Sequence, residues 1–349
     1  MKTRLIINLY LLAVLITSCQ SEKYENTSLF SLRDFKKTVK LNAVTVDFDD
    51  LILLPHLFVK SDSLFIIQNI FTKNLLYVYN INSKKKVGEF IARGSGPNDL
   101  IGIKNMQLLG SELIISDSQK RMVFIYDVND FHQLTKNLTP KQKVPIEDYC
   151  FQLATIENGY VGIAMSPDNK RLVYYNSKGE KELASGEYPY YGKEFTKLEK
   201  IEGFNSQIVV SHKNKRIYLF GMTTDLIEIY DFQGMLIKKL HGPDHFFPQV
   251  KENRSTDGYS TISAKNSIFA YFHPIIVDNE IYVSYSGHHY VINEEVARVN
   301  HIFVFDLDCN PIRRYELSET IASFTVDIDT KLIYATSNTP DYHMVVFEQ

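Results

Sequence analysis

Six times along the chain a short apolar run ends in an aromatic residue followed at once by Asn, Asp or Glu. The endings are Tyr79-Asn80, Tyr126-Asp127, Tyr175-Asn176, Tyr230-Asp231, Phe305-Asp306 and Phe347-Glu348, spaced by 47, 49, 55, 75 and 42 residues. Between them almost every apolar stretch is four to seven residues long, rich in β-branched and aromatic residues, and bounded by turn residues. Leu64-Phe65-Ile66-Ile67 and Ile217-Tyr218-Leu219-Phe220 are examples. That is a strand signature, and no long helical periodicity competes with it. The Asx residue has a mechanical job, because its side chain can accept from its own backbone and start a turn. Turn sequences follow at Asn82-Ser83, Ser177-Lys178-Gly179, Gln233-Gly234 and Cys309-Asn310. A repeat in the forties with four short strands per unit is the size of a propeller blade. The spacing therefore predicts an all-β fold, a six-bladed β-propeller.

Ring closure follows from where the repeat stops. The last unit ends at Phe347-Glu348-Gln349, directly after its third strand, while residues 39–46 near the start form a spare strand without a unit. Pairing that strand with the last blade would complete the circle and cover an edge that otherwise invites aggregation.

The first nineteen residues suggest a compartment. Lys2 and Arg4 precede an apolar run from Leu5 to Thr17, and Ser18-Cys19 follows. The run is too short to span a bilayer as a helix but suits a secretory signal peptide. Ile16-Thr17-Ser18-Cys19 resembles a bacterial lipobox, in which the Cys becomes the lipidated first residue. The expected organisation is a signal peptide over 1–18, a polar lipid-anchored tether over 19–37 and the propeller over 38–349. The chain would be anchored to a membrane of the bacterial envelope through Cys19. Loss of 1–18 takes away Lys2 and Arg4 and moves the formal charge from −3 to −5. An acidic chain lacks the electrostatic footprint of nucleic-acid binding, so no nucleic-acid partner is expected. Cys150 and Cys309 are the remaining cysteines, too few for a paired Cys-x-x-Cys metal site and expected to stand as isolated thiols.

The lipobox, the six units and the run Arg93-Gly94-Ser95-Gly96-Pro97-Asn98-Asp99 after the first blade together resemble the TolB-like six-bladed propeller lipoproteins. Members of that family often carry a G-R-G-P-G/N-E-like run at this place; here Ser is inserted and Asp stands for Glu. The resemblance covers roughly residues 38–349 and implies architecture rather than a reaction, because the family is defined by its fold.

Loop lengths indicate where a site would lie. In a propeller the turns between first and second strands and between third and fourth strands share one face. The remaining loops share the other. The first set is short, whereas loops 92–103, 186–204, 241–264 and 286–300 carry nearly all the extra length. The long-loop face is therefore the expected binding surface, with Arg93, Asn98, Tyr190, Tyr191, His241, His245, His288 and His289 as candidate ligand- or partner-binding residues. Gly94 and Gly96 could form a backbone anion nest beside Arg93, or simply a tight crossover in which Arg93 pairs with Asp99. The histidines could ligate a metal or be plain polar loop residues, since no H-E-x-x-H or comparable signature occurs. No nucleophile elbow, P-loop or dinucleotide fingerprint is present either. The reading is a binding or scaffolding module for an envelope protein or extracellular ligand, needing no cofactor. Its rival is a hydrolase or lyase on an extracellular saccharide or lactone with a channel-bound metal.

Overall fold

The computed structural model describes residues 23–48, 55–70, 72–132, 138–256, 260–263, 266–289, 299–337 and 341–349. Cys19 and the signal sequence lie outside the described residues. Six sheets are arranged as blades of a propeller, with antiparallel strands in sequence order from the channel outward, and N-terminal strands take the outermost places of blades four, five and six. Blade one, for example, runs Pro55–Lys60, Leu64–Asn69, Asn74–Asn80 and Lys86–Ala92. Blades two to five begin at Asn105, Cys150, Ser206 and Ile268, and blade six at Ser323.

The Asx residues act as the sequence suggests. The Oδ1 atom of Asn80 accepts from the amides of Asn82 and Ser83, and that of Asn176 from Lys178 and Glu180. Asp127, Asp231 and Asp306 make the same closures to Asn129, to Gln233 and Met235, and to Asp308 and Asn310. Each side chain thus satisfies backbone donors that the strand ladder has just released, which is why Asx recurs at five of the six third-strand ends. The aromatic before it points inward: Tyr79, Tyr126, Tyr230, Phe305 and Phe347 are all fully buried. Packing between neighbouring blades makes the core; Ile217, Leu219 and Tyr230 of blade four meet Val161, Leu172 and Tyr174 of blade three. Across that same seam a buried Arg171–Glu228 pair at 2.8 Å is completed by Ser206 and by the Tyr230 hydroxyl. Cys150 and Cys309 are buried and unbridged.

The N-terminal segment departs from expectation in two ways. Residues 39–46 are not one strand. Lys37–Leu41 adds in parallel to the outer strand Pro311–Ile321 of blade five, and only Val44–Val46 pairs, antiparallel, with His343–Glu348 of blade six. The break falls at Asn42-Ala43, where the Ala43 amide donates to Ser318 Oγ and the chain steps from one blade to the next. Residues 23–36, read as polar tether, are a strap. Tyr24, Phe30 and Phe35 are buried, and Ser28–Leu29 pairs in parallel with Leu240–His241 at the outer edge of blade four. Phe30 and Phe35 pack on Phe303 and Phe305 between blades four and five. Charged neighbours hide these three aromatics in the sequence, and burial of such rings is worth about 2–3 kcal/mol each.

Candidate functional site

Loop 241–264 holds two of the candidate histidines, and its geometry centres on Asp225. This carboxylate is fully buried in the loop between the second and third strands of blade four. It accepts from the amides of Asp244 and His245 at 2.7 Å each and of Phe246 at 3.1 Å. His241 Nε2 lies 2.9 Å from the same carboxylate and 3.0 Å from the Phe246 carbonyl; two acceptors on one nitrogen mean that it carries the proton. His245 Nε2 donates to the Phe30 carbonyl at 2.9 Å. Gly242, at φ 155°, brings its backbone against the strap so closely that a Cβ would stand 2.1 Å from the Phe30 oxygen. His241, buried, and His245, exposed, thus hold the strap and the loop together through their Nε2 atoms.

Tyr191 is buried and belongs to the same assembly. It stacks on Phe247 at 4.3 Å and meets Tyr24 edge-on at 5.3 Å. Tyr24 in turn touches His241 at 4.8 Å and hydrogen-bonds Thr224 Oγ1 at 2.9 Å. Burial pushes the phenols of Tyr24, Tyr271 and Tyr285 well above the usual range, so all three stay neutral hydrogen-bonding groups. Tyr190, by contrast, is 44% exposed. His288 and His289 are exposed at the end of Glu280–His289, paired across the sheet with Phe269 and Ile268. The long loops also carry structure of their own. Lys197–Gly203 is a helix with a Thr196–Glu199 capping box, and Lys251–Arg254 pairs with Ser260–Ser263.

The Gly-rich crossover is built on carbonyls rather than on a nest of free amides. Gly94 N–H donates to Leu100 O and Gly96 N–H to Asp99 Oδ2. Lys120 caps the carbonyls of Gly96 and Asp99, and Lys143 that of Pro97. Arg93 does not pair with Asp99; its guanidinium donates to the Ile70 and Thr72 carbonyls of blade one. Asn98 is half-buried on this loop. Of the eight candidates, the structure brings together Tyr191, His241 and His245 in one packed assembly. Arg93 and Asn98 lie apart on the first crossover, and His288 and His289 on blade five. Among the described residues, no three His, Cys, Asp or Glu side chains are placed to hold a metal.

A sizeable concavity lies elsewhere. A cavity of about 490 Å³ runs along the propeller axis, lined by the innermost strands. Its wall is stratified, and the strata follow from register. Four residues before the end of the innermost strand, blades two to six place Asn105, Gln152, Gln207, His273 and Ser323 on the cavity. One residue before the end come Val59, Leu108, Thr155, Val210, Ile276 and Val326, an aliphatic belt interrupted once. Leu109, His212, Lys213 and Asn279 line its end on the short-turn face. Asn105 Nδ2 donates to Gln152 Oε1 at 3.3 Å, and Gln107 Oε1 accepts from Thr155.

Charge at this wall is muted. No carboxylate lines the cavity among the described residues. Lys60 is paired with Asp327 at 3.3 Å, and Lys213 donates to Asn279 Oδ1 at 2.9 Å. Burial pulls the His212 imidazole below its usual value, with Glu157 opposing, so it is neutral at pH 7. Lys104 remains, exposed near the long-loop end. A volume in the range of small-molecule sites, with aliphatic walls and a few convergent polar groups, suits an uncharged polar ligand. None of these residues was a candidate from sequence. The available signal was a polar residue recurring at one register in strands that are otherwise apolar.

Fold and site together define a six-bladed propeller with a polar-ringed axial cavity and a long-loop face held by its own packing. The TolB-like 6-blade propeller-like family matches residues 34–329, and the chain belongs to it. Among solved structures it is similar to an exported protein from Bacteroides fragilis NCTC 9343. The two share 13% identity and a TM-score of 0.55, covering 92% of this chain and 98% of that one. It is also similar to a member of the duf4221 family from Bacteroides vulgatus, at 8% identity and a TM-score of 0.56, covering 88% and 95%. At these identities the likeness is one of fold. No curated protein matches the sequence.

Proposed function

We propose that this protein is a lipid-anchored binding module of the bacterial envelope that holds a small, uncharged ligand rich in hydroxyl or amide groups in its axial cavity. The observation that carries this reading is the set of Asn105, Gln152, Gln207 and His273, one part-exposed hydrogen-bonding side chain from each of four blades at a single level, with the buried Ser323 behind them in blade six. Carboxamides donate and accept at once, so they suit a ligand that does both. The aliphatic belt below supplies contact area without charge. The long-loop face is the less favoured surface, because Tyr191 and His241 are buried in packing, His245 is tied to the strap by Nε2, and Tyr190, His288 and His289 stand apart. Location in the envelope is supported by the lipobox at Cys19 and by a structural neighbour that carries the name of an exported protein.

A disaccharide bearing both acetamides and hydroxyls, N,N′-diacetylchitobiose, is a direct probe. Calorimetric titration should give saturable binding to the native protein and at least tenfold weaker binding to Gln152→Leu and Gln207→Leu, whose melting should stay near native. Equal binding by the variants, or saturable binding abolished by Tyr190→Ala instead, would move the site out of the channel.

A further inference from the structure

We infer that the long-loop edge of blade four faces the membrane surface and that the short-turn end of the axial cavity looks away from it. The inference rests on the anchoring of Cys19 proposed above. Its argument is one of chain length. Tyr24 is fixed: its ring is buried against Tyr191, Phe247 and His241, its hydroxyl is bonded to Thr224, and the next amide, Glu25 N–H, donates to Tyr190 O. Every one of these partners lies on the long-loop face of blade four. Four residues separate Cys19 from Tyr24, five Cα–Cα steps in all. Fully extended they span at most about 17–18 Å, whatever their conformation.

The opposite face is out of reach. Innermost strands such as Ser206–Ser211 and Cys150–Ile156 run from the long-loop face to the short turns. At about 3.3 Å per step the six steps of Cys150–Ile156 span about 20 Å, and the turn beyond adds to that. A lipid on Cys19 therefore cannot enter a bilayer lying against the short-turn face, because the tether is shorter than the propeller is thick. Against the long-loop face it reaches easily, even with the body tilted toward blade four.

Exposed apolar side chains occur at both ends of the propeller, Met235, Leu236 and Leu109 at the short turns among them, so chain length alone carries the orientation. At the long-loop end Tyr190 is 44% exposed, Met165 48% and Leu29 54%, and Lys193 lies 4.6 Å over the Phe195 ring. Leu109, His212, Lys213 and Asn279, at the short-turn end of the cavity, lie at the other end of the strands. That end of the channel then faces water.

The test uses the full lipidated chain in vesicles of phosphatidylethanolamine and phosphatidylglycerol carrying a headgroup nitroxide quencher. A thiol-reactive fluorophore is placed through Tyr190→Cys, Met165→Cys or, on the short-turn face, Asn158→Cys; native Cys150 and Cys309 are buried and do not compete. Quenching should be at least threefold stronger at positions 190 and 165 than at 158. Insertion of twenty Gly/Ser residues between Lys23 and Tyr24 should erase that difference. Equal quenching on both faces in protein that floats with the vesicles overturns the orientation while leaving the anchor standing, as does a difference that survives the insertion. Protein that does not float at all removes the anchor, and the orientation with it.

Discussion

Replacing Asp225 by Ala strikes the most heavily used side chain of the long-loop face. The carboxylate accepts three backbone amides at 2.7–3.1 Å and lies 2.9 Å from His241 Nε2, with no solvent exposure. Its removal orphans the amides of Asp244, His245 and Phe246, whereas His241 keeps the Phe246 carbonyl. A buried donor left without a partner costs about 1–3 kcal/mol, so three cost roughly 3–6 after some relaxation toward water. Taking about 4 kcal/mol, and an unfolding entropy of about 2.1 cal/mol/K per residue over 349 residues, the melting temperature should fall by about 6 °C. Asp225→Asn, which keeps one oxygen acceptor, should fall by less. Scanning calorimetry on Asp225→Ala, Asp225→Asn and the exposed control His288→Ala gives the comparison. Melting of Asp225→Ala within about 1 °C of native would refute the role assigned to this carboxylate, and with it the account of His241 and His245 as structural groups.

Three further outcomes follow from the geometry. Phe35→Ala, in the strap, should cost about 3–5 kcal/mol in denaturant unfolding, whereas a free tether would tolerate the change without effect. Burial pushes the Cys150 thiol up to about 12 and the Cys309 thiol also far upward. A thiol reagent at pH 8 should therefore find neither until guanidinium unfolds the chain; prompt reaction in native buffer would contradict their burial. Burial raises the Asp327 carboxyl, but hydrogen bonds from Thr330 and the Lys60 charge outweigh it and leave the group below its ordinary value. A depressed folded-state value stabilises above the unfolded value near 4 and is lost as pH falls through the folded one, so Lys60→Met should flatten the acid limb of a stability–pH profile below about pH 4.

The blade count was legible because its signal is local and repeated. Each aromatic-Asx ending couples a buried ring to a turn that the Asx side chain closes, and the described structure shows the closure at Asn80, Asp127, Asn176, Asp231 and Asp306 alike. The strap was not legible. Tyr24, Phe30 and Phe35 sit among Lys, Glu, Ser and Arg because only one side of this segment meets the propeller, and a parallel edge strand has no turn to announce it. Loop length pointed to the long-loop face, but length there is spent on a helix, a hairpin and the Asp225 assembly. Tyr191 and His241 could not be told from binding residues, since burial of a loop depends on what packs over it. Polar residues such as Gln152 and Gln207 looked like interruptions of strands. Their shared level appears only once six strands are aligned by their turns.

A crystal structure of the protein grown with N,N′-diacetylchitobiose would test the central claim most directly. The account predicts the disaccharide within the axial cavity, hydrogen-bonded at the level of Asn105, Gln152 and Gln207, with its body against Val59, Val210 and Ile276. An empty channel with the disaccharide seated on the long-loop face, beside Tyr190 or His288, would contradict it.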